Sequence, residues 1–125
     1  MAKIDSVEEL DVFKRAHQVT LRIYEISGKF PADEKFGLIS QMRRAAASIA
    51  TNLMEGSYRL NRAEYRHFVG ISRGSSGELK YHILLARDLG YLSKGDYAVL
   101  RVELDEISKM LMGLAKSLLS GKGWN

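Results

Sequence analysis

Side chains that could hold a metal are sparse in this chain, and only one pair has the spacing of a metal motif. Glu64 and His67 form a Glu-x-x-His pair. Di-metal bundles use this pair on two helices, with one further glutamate from each of the other two helices. A second pair is missing, because neither His17 nor His82 has an acid three residues before it. We therefore predict no metal site, no cofactor and no enzymatic activity, and a di-metal enzyme ranks last among the alternatives.

The arginines are the other side chains with a clear chemistry. Between residues 43 and 73 there are six arginines and two acids, so this segment accounts for the whole formal net charge of +4. A guanidinium group is a planar fork of donors that suits phosphate groups. Arginine interleaved with tyrosine is typical of surfaces that bind a nucleic-acid backbone and stack on its bases. The candidate nucleic-acid-binding residues are Arg43, Arg44, Arg59, Arg62, Arg66, Tyr58 and Tyr65.

Part of this set has an alternative role. Arg62, Arg66 and Arg73 share one face of a predicted helix at spacings of four and seven. Such a face either binds phosphate or forms salt bridges with acids of the following helix, such as Glu103 or Asp105. Composition alone leaves both interpretations open.

Two further patterns concern small and short polar residues. A stripe in the second predicted helix consists of Gln41, Arg44, Ser48, Thr51 or Asn52, and Glu55. Short amides and hydroxyls favour a hydrogen-bond network between helices or subunits over a solvated face. The third predicted helix contains glycines at 70, 74 and 77, each of which costs about 1 kcal/mol relative to alanine. They indicate a helix kink or the close approach of another backbone, either within the bundle or from a second subunit.

Four helices must position these residues. Apolar residues recur at alternating steps of three and four in four segments, which is the pattern of helices packed at a shallow angle. The predicted seams comprise Val12, Ala16, Val19, Ile23 and Ile26; Ile39, Met42, Ala46, Ile49 and Leu53; Phe68, Ser72, Ser75, Leu79, His82, Ala86 and Leu89; Tyr97, Leu100, Leu104, Ile107, Leu111, Leu114 and Leu118.

The helix ends are marked by caps and glycines. Side chains with capping spacing are Ser6 with Glu9, Asn61 with Glu64, and Ser93 with Asp96. Glycines at 28, 56, 90 and 121 end the four helices. The sequence predicts an all-α, antiparallel up-down four-helix bundle in one domain, residues 1–125, with helices at roughly 7–28, 33–56, 62–89 and 94–120.

Composition and the lengths of the apolar segments restrict the possible cellular location of the protein. Cysteine is absent, which excludes disulfides and thiolate chemistry. The first ten residues contain acids and no apolar run, so they are not a secretory signal, and no segment has the roughly 20 apolar residues of a membrane span. We predict a cytoplasmic protein without a membrane partner.

A run of residues along the chain resembles a known family. The most specific part is Gln41-Met42-Arg43-Arg44-Ala45, followed by Ser48-Ile49 and Asn52-Leu53-x-Glu55-Gly56. The chain is similar here to the bacterial four-helix-bundle family encoded in 23S ribosomal RNA intervening sequences, also called S23 ribosomal protein. Further matching residues are Leu10, Val12, Tyr24, Phe30-Pro31, Glu34, Gly37-Leu38, Arg59, Phe68, Arg73-Gly74-Ser75, Glu78, Ala86, Gly90-Tyr91-Leu92, Leu111 and Leu114. Phe13 and Leu53-Met54 depart from the family pattern.

The resemblance implies a ring-like homopentamer and kinship with the accessory variability protein of diversity-generating retroelements, which binds a reverse transcriptase and its template RNA. It also implies that matching polar positions serve assembly first and RNA contact second. These candidate oligomer or network residues are Gln41, Ser48, Asn52, Glu55, Arg73, Ser75 and Glu78. The predicted function is a non-enzymatic, homopentameric accessory protein that binds RNA or an RNA–DNA intermediate, with a reverse transcriptase as candidate partner. The alternative is a structural or protein-binding oligomer without a nucleic-acid role.

Overall fold

Four long helices form most of the molecule. The computed structural model describes residues 6–119, in which α1 spans Asp11–Ser27, α2 Leu38–Ser57, α3 Arg62–Asp88 and α4 Lys94–Leu119. Each helix packs against its two neighbours in the cycle α1, α2, α3, α4, and among the described residues no Cα atoms of the diagonal helix pairs come within 8 Å of each other. The connecting turns are short, so successive helices are antiparallel. The predicted all-α four-helix bundle is confirmed.

The core lies where three of the four predicted seams place it. All five seam residues of α1 and all five of α2 are buried, and in the predicted seam of α4 only Tyr97 and Leu114 are partly exposed. Ile23, Met42 and Leu104 have no exposed surface at all. Burial of one such side chain stabilises the fold by roughly 1.5–3 kcal/mol, so these seams account for why the helices pack.

The predicted seam of α3 was partly wrong. Ser72, Ser75, Leu79 and Ala86 are buried as predicted, but Leu89 is 48% exposed. The buried face also includes four residues outside that seam, namely Tyr65, Val69, Ser76 and Ile83. The buried face is thus rotated relative to the predicted seam. The prediction missed this because buried serines, which carry little hydrophobic signal, occupy the centre of the face and hydrogen-bond to other helices.

The predicted start of α1 near residue 7 was wrong. A short 3-10 turn at Val7–Glu9 comes first, capped by the Ser6 hydroxyl, which accepts from the amide of Glu8. Leu10 then adopts an extended conformation, and the α-helix begins only at Asp11. Val7 is buried, so packing of its side chain on the core holds this segment away from a continuous helix.

The predicted start of α2 near residue 33 was also wrong. A 3-10 turn spans Ala32–Glu34, and α2 begins at Leu38. One carboxylate oxygen of Glu34 accepts from the amide of Leu38 at 3.2 Å, and the other accepts from the Tyr91 hydroxyl at 3.1 Å. Glu34 therefore caps α2 and joins the α1–α2 turn to the α3–α4 turn. The bond to this carboxylate raises the pKa of the Tyr91 phenol.

The other helix ends agree with the predicted caps, with one exception. The Asn61 side chain accepts from the amide of Glu64 and donates to its carboxylate, and the Ser93 hydroxyl accepts from the amide of Asp96. Gly90 has a φ of 83°, the left-handed geometry that ends α3. Gly56, by contrast, lies inside α2 rather than after it. Gly121, the predicted end of the fourth helix, lies outside the described residues.

None of the helices in residues 6–119 combines the length and the apolar character that crossing a bilayer requires.

Candidate nucleic-acid interface

The candidate arginines divide between two regions of the bundle. Arg43 and Arg44 lie in the second turn of α2, whereas Arg59 lies in the turn between α2 and α3. The part of α2 between the two regions is about 20 Å long at a rise of about 1.5 Å per residue. Their closeness in sequence therefore does not make one continuous patch.

The neighbouring Arg43 and Arg44 have different environments. Arg43 Nε donates to Ser27 Oγ at 2.9 Å and its Nη2 to the Tyr24 carbonyl at 3.1 Å, while its guanidinium lies 4.6 Å from the centre of the Tyr24 ring. Arg43 thus ties α2 to α1. Arg44 is exposed and makes no hydrogen bond or ion pair with any residue between 6 and 119. Arg44 is therefore the member of this pair that is accessible to a ligand.

The turn between α2 and α3 displays apolar and cationic groups together. Tyr58 is 82% exposed and Leu60 is 97% exposed. Arg59 lies between them, with Nη2 3.2 Å from a carboxylate oxygen of Glu55 and its guanidinium 4.5 Å from the centre of the Phe68 ring. The Arg59 side chain keeps 40% of its surface exposed, so it can still reach an anion. Leu60 was not among the predicted site residues. The sequence signal that could have indicated it is an aliphatic residue that belongs to none of the four apolar seams.

Two arginines of α3 bind the backbone of α4. Arg66 Nε donates to the Ala115 carbonyl at 3.1 Å, and Arg73 Nε donates to the Ser108 carbonyl at 3.3 Å. Both residues nevertheless remain exposed. Arg62, one turn before Arg66, is half-buried.

The predicted alternative, salt bridges to Glu103 and Asp105, does not involve these arginines. Glu103 pairs with Arg15 at 2.8 Å. Asp105 pairs with Lys80 at 3.0 Å and with Arg101 at 3.1 Å. Hydrogen bonds from Lys80 and then Arg101 lower the pKa of Asp105. Glu103 and Asp105 are thus already paired with other cations.

A cleft of about 480 Å³ lies beside these arginines, between the first turn of α3 and the last turn of α4. Its lining residues are Asn61, Arg62, Ala63, Arg66, Leu118 and Leu119. The amino end of a helix and cationic side chains both favour an anionic ligand. Of the candidate arginines, Arg59, Arg62 and Arg66 therefore share one end of the bundle.

Tyr65 was wrongly predicted to stack on bases. Its side chain is only 4% exposed, and burial raises the pKa of its phenol. It instead packs beneath Gly56, where an added Cβ would lie 3.0 Å from the Tyr65 ring and 2.7 Å from the Cβ of Phe68. Gly56 is required for this close helix crossing and not as a helix terminator.

The predicted polar network exists between α2 and α3, but it contains only part of the predicted set. The hydroxyls of Ser48 and Ser75 are 2.8 Å apart, and Asn52 Nδ2 donates to Ser48 Oγ at 2.8 Å. The fully buried Ser72 donates to the Ile49 carbonyl at 2.7 Å. A polar contact that was not predicted joins α3 to α4, where the hydroxyls of Ser76 and Ser108 are 2.9 Å apart.

The remaining predicted members lie outside that network. Gln41 is exposed, and Glu55 pairs with Arg59. Glu78 lies 3.6 Å from His82 Nε2, and the His82 side chain is only 12% exposed. Burial lowers the pKa of His82, and the nearby Glu78 offsets part of that effect.

The helical glycines of α3 face outward. Gly70, Gly74 and Gly77 are exposed, and a Cβ built at any of them would meet nothing within 4 Å. Their predicted role in close packing inside the bundle is therefore contradicted. The other interpretation, contact with a second subunit, stays a prediction.

The single metal-type pair of the sequence has other contacts. Glu64 is held by Asn61, and the His67 ring packs edge-on against Phe68 with 5.8 Å between ring centres. In the part of the chain that the structure describes, no three side chains of metal-binding type come together. The absence of enzymatic activity stays a prediction.

Comparison with known proteins identifies relatives of this fold. The chain matches the family model described as 23S rRNA-intervening sequence protein over residues 8–113. It is also similar to a crystal structure of a protein with unknown function from the S23 ribosomal protein family of Bacteroides thetaiotaomicron VPI-5482, with a TM-score of 0.75 and 22% sequence identity. That match covers 84% of this chain and 98% of the other, and at this identity it shows the fold alone.

No curated protein matches the chain. The family model nevertheless spans most of its length. This chain therefore belongs to the 23S rRNA-intervening sequence protein family.

Proposed function

We propose that this protein is a non-enzymatic, homo-oligomeric accessory protein that binds RNA, or an RNA–DNA intermediate, at the end of the bundle formed by the α2–α3 turn. The observation that supports it best is that Arg62 and Arg66 line the cleft at the start of α3, while Arg59 and the exposed Tyr58 lie in the turn directly before that helix. Phosphate groups bind to such guanidinium groups, and the aromatic ring offers a stacking surface.

Multiple copies would strengthen such binding. One subunit has a formal net charge of only +4, which limits its affinity for phosphate. An assembly of several subunits repeats each contact, and linked contacts raise the overall affinity steeply. Five copies and a reverse transcriptase as partner are proposed because the sequence resemblance implies kinship with the pentameric accessory protein of diversity-generating retroelements.

The outer face of α3 is the candidate subunit contact. Three glycines in a helix interior together cost about 3 kcal/mol of helix propensity. Nothing within the described bundle uses the open space above them. A neighbouring helix of another subunit would use that space.

The assembly is tested by light scattering coupled to gel filtration. A pentamer of a 14.1 kDa chain has a mass of about 70 kDa. A single mass of one chain at all concentrations would contradict the proposed assembly.

RNA binding is tested with two matched triple variants. In the first, Arg59, Arg62 and Arg66 are replaced by glutamine; in the second, Arg22, Arg87 and Arg101, which lie at or towards the opposite end of the bundle, are replaced in the same way. Both lose three positive charges. We expect the first to weaken RNA binding by about tenfold or more, and to reduce the slope of log K against log salt by about 2, while the oligomer stays intact.

The control variant should change RNA affinity much less, because its arginines lie far from the proposed site. Equal losses in the two variants would show a diffuse charge effect and contradict the site. Absence of RNA binding by an intact oligomer would favour the alternative, a structural or protein-binding oligomer.

A further inference from the structure

The tip of the α2–α3 turn presents two large apolar side chains to solvent. Tyr58 and Leu60 are 82% and 97% exposed, and each is among the most exposed large apolar residues of the described chain. Within residues 6–119 the side chain of Tyr58 makes no hydrogen bond and no ring contact. Most of its ring surface is therefore accessible to a ligand.

The backbone of this tip is fixed. The amide of Tyr58 donates to the Glu55 carbonyl at 3.2 Å, and the amide of Arg59 donates to the Gly56 carbonyl at 3.0 Å. The Arg59 guanidinium is anchored on Phe68 and Glu55, and Asn61 caps α3 immediately afterwards. A ring displayed on a fixed backbone loses little conformational entropy when a ligand stacks on it.

Another exposed aromatic residue offers a contrast. Phe36, in the α1–α2 turn at the opposite end, is 89% exposed, but the Lys35 ammonium lies 5.6 Å from the centre of its ring. No such cation covers Tyr58 among the described residues. The arginines that follow Tyr58 in the chain are Arg59, in the same turn, and Arg62 and Arg66, in the first two turns of α3, and their guanidinium groups can bind phosphates that flank a stacked base.

We propose that the α2–α3 turn binds RNA whose bases are unpaired, in a single strand or a loop, and that Tyr58 stacks on one of these bases. This inference rests on the proposed function and specifies its substrate class. In an A-form duplex each base is already stacked on both faces, and the deep major groove excludes protein side chains. Only an unpaired base can place its face on the Tyr58 ring, while Arg59 and Arg66 bind phosphates of either form.

The test uses one RNA of about 20 nucleotides, long enough for a single-strand binding site, alone and annealed to its complement. Binding of both forms is measured for the parent chain and for Tyr58→Ala, Tyr58→Phe and Phe36→Ala. Tyr58→Ala should weaken single-strand binding by about tenfold and leave the duplex affinity and the salt slope unchanged. Tyr58→Phe retains the ring and should bind like the parent.

Phe36→Ala is the matched control, because it removes an equally exposed ring from the opposite end and should change neither affinity. Single-strand binding that is unaffected by Tyr58→Ala, or an equal loss for both RNA forms, would overturn the stacking inference and leave the proposed function standing. Failure of the parent chain to bind either RNA would overturn the proposed function and this inference together. Helix content measured by circular dichroism confirms that each variant is folded.

Discussion

The two faces of α3 are both built from small residues, yet these residues have opposite surroundings. On the inner face, Ser72 and Ser76 are fully buried and their hydroxyls bind α2 and α4. On the outer face, Gly70, Gly74 and Gly77 have open space where a side chain would lie. The small residues of the inner face have packing partners within the same chain, whereas those of the outer face would have packing partners only if another molecule covered them. The positions of small residues in the sequence do not distinguish a face packed within the chain from an open face. The contacts of these residues in the structure do distinguish them.

The strongest test of this difference between the two faces is a large side chain introduced on the outer face. Gly74→Leu adds a large side chain where the bundle has room, so the fold should remain helical. If a second subunit covers that position, assembly should be lost, because overpacking a tight interface costs about 1–3 kcal/mol per contact and a ring repeats the contact in every subunit. Light scattering measures the mass, and an unchanged oligomer would show that the outer face is not the contact.

A matched pair of alanine substitutions should change stability in opposite directions. Gly56→Ala places a Cβ 2.7 Å from that of Phe68 and should lower the free energy of unfolding by about 2 kcal/mol. Gly74→Ala meets nothing and should raise it by about 1 kcal/mol through helix propensity. Urea unfolding of dilute protein measures both. If both substitutions changed the free energy of unfolding in the same direction, the distinction between the packed position of Gly56 and the open position of Gly74 would be contradicted.

Hydroxyl pairs on the inner face should be energetically coupled. Ser48 and Ser75 lie 2.8 Å apart between α2 and α3. Replacing each with alanine, singly and together, forms a double-mutant cycle whose coupling energy should be about 1 kcal/mol. Strict additivity of the two single effects would show that this contact does not stabilise the helix pair.

The smallest expected effect concerns pH. Burial lowers the pKa of His82 below 6.5, so the unfolded chain takes up this proton before the folded chain does. The contribution of neutral His82 to the free energy of unfolding is therefore complete above pH 6.5. It is lost as the pH falls from 6.5 through the lowered pKa that His82 has in the folded chain. His82→Gln should flatten the stability profile over this range. An unchanged profile would assign the pH dependence to other groups.

The sequence predicted the bundle well because its periodic apolar residues are local signals. Every seam residue of α1 and α2 is buried. The seam of α3 was harder, because its centre consists of serines whose partners, such as the Ile49 carbonyl and Ser108, lie on other helices. Contacts between residues distant in sequence leave no local pattern.

The candidate site was predicted less well for the same reason. Arginine type and spacing made Arg43, Arg59 and Arg66 equal candidates, and they gave no sign that Arg43 binds α1. Tyr58 and Tyr65 are the same residue type seven positions apart, and only the helix crossing at Gly56 determines that the second is buried.

The up-down order of the helices has a practical consequence for experiments with this protein. An even number of antiparallel helices brings residues 6 and 119 to the same end of the bundle as the α2–α3 turn, and Leu119 lines the same cleft as Asn61. A label attached near residue 6 or residue 119 would therefore sit at the end of the bundle where we propose that RNA binds. A label attached at Phe36 would lie about 30 Å away, the length of α2, and would leave that end unobstructed.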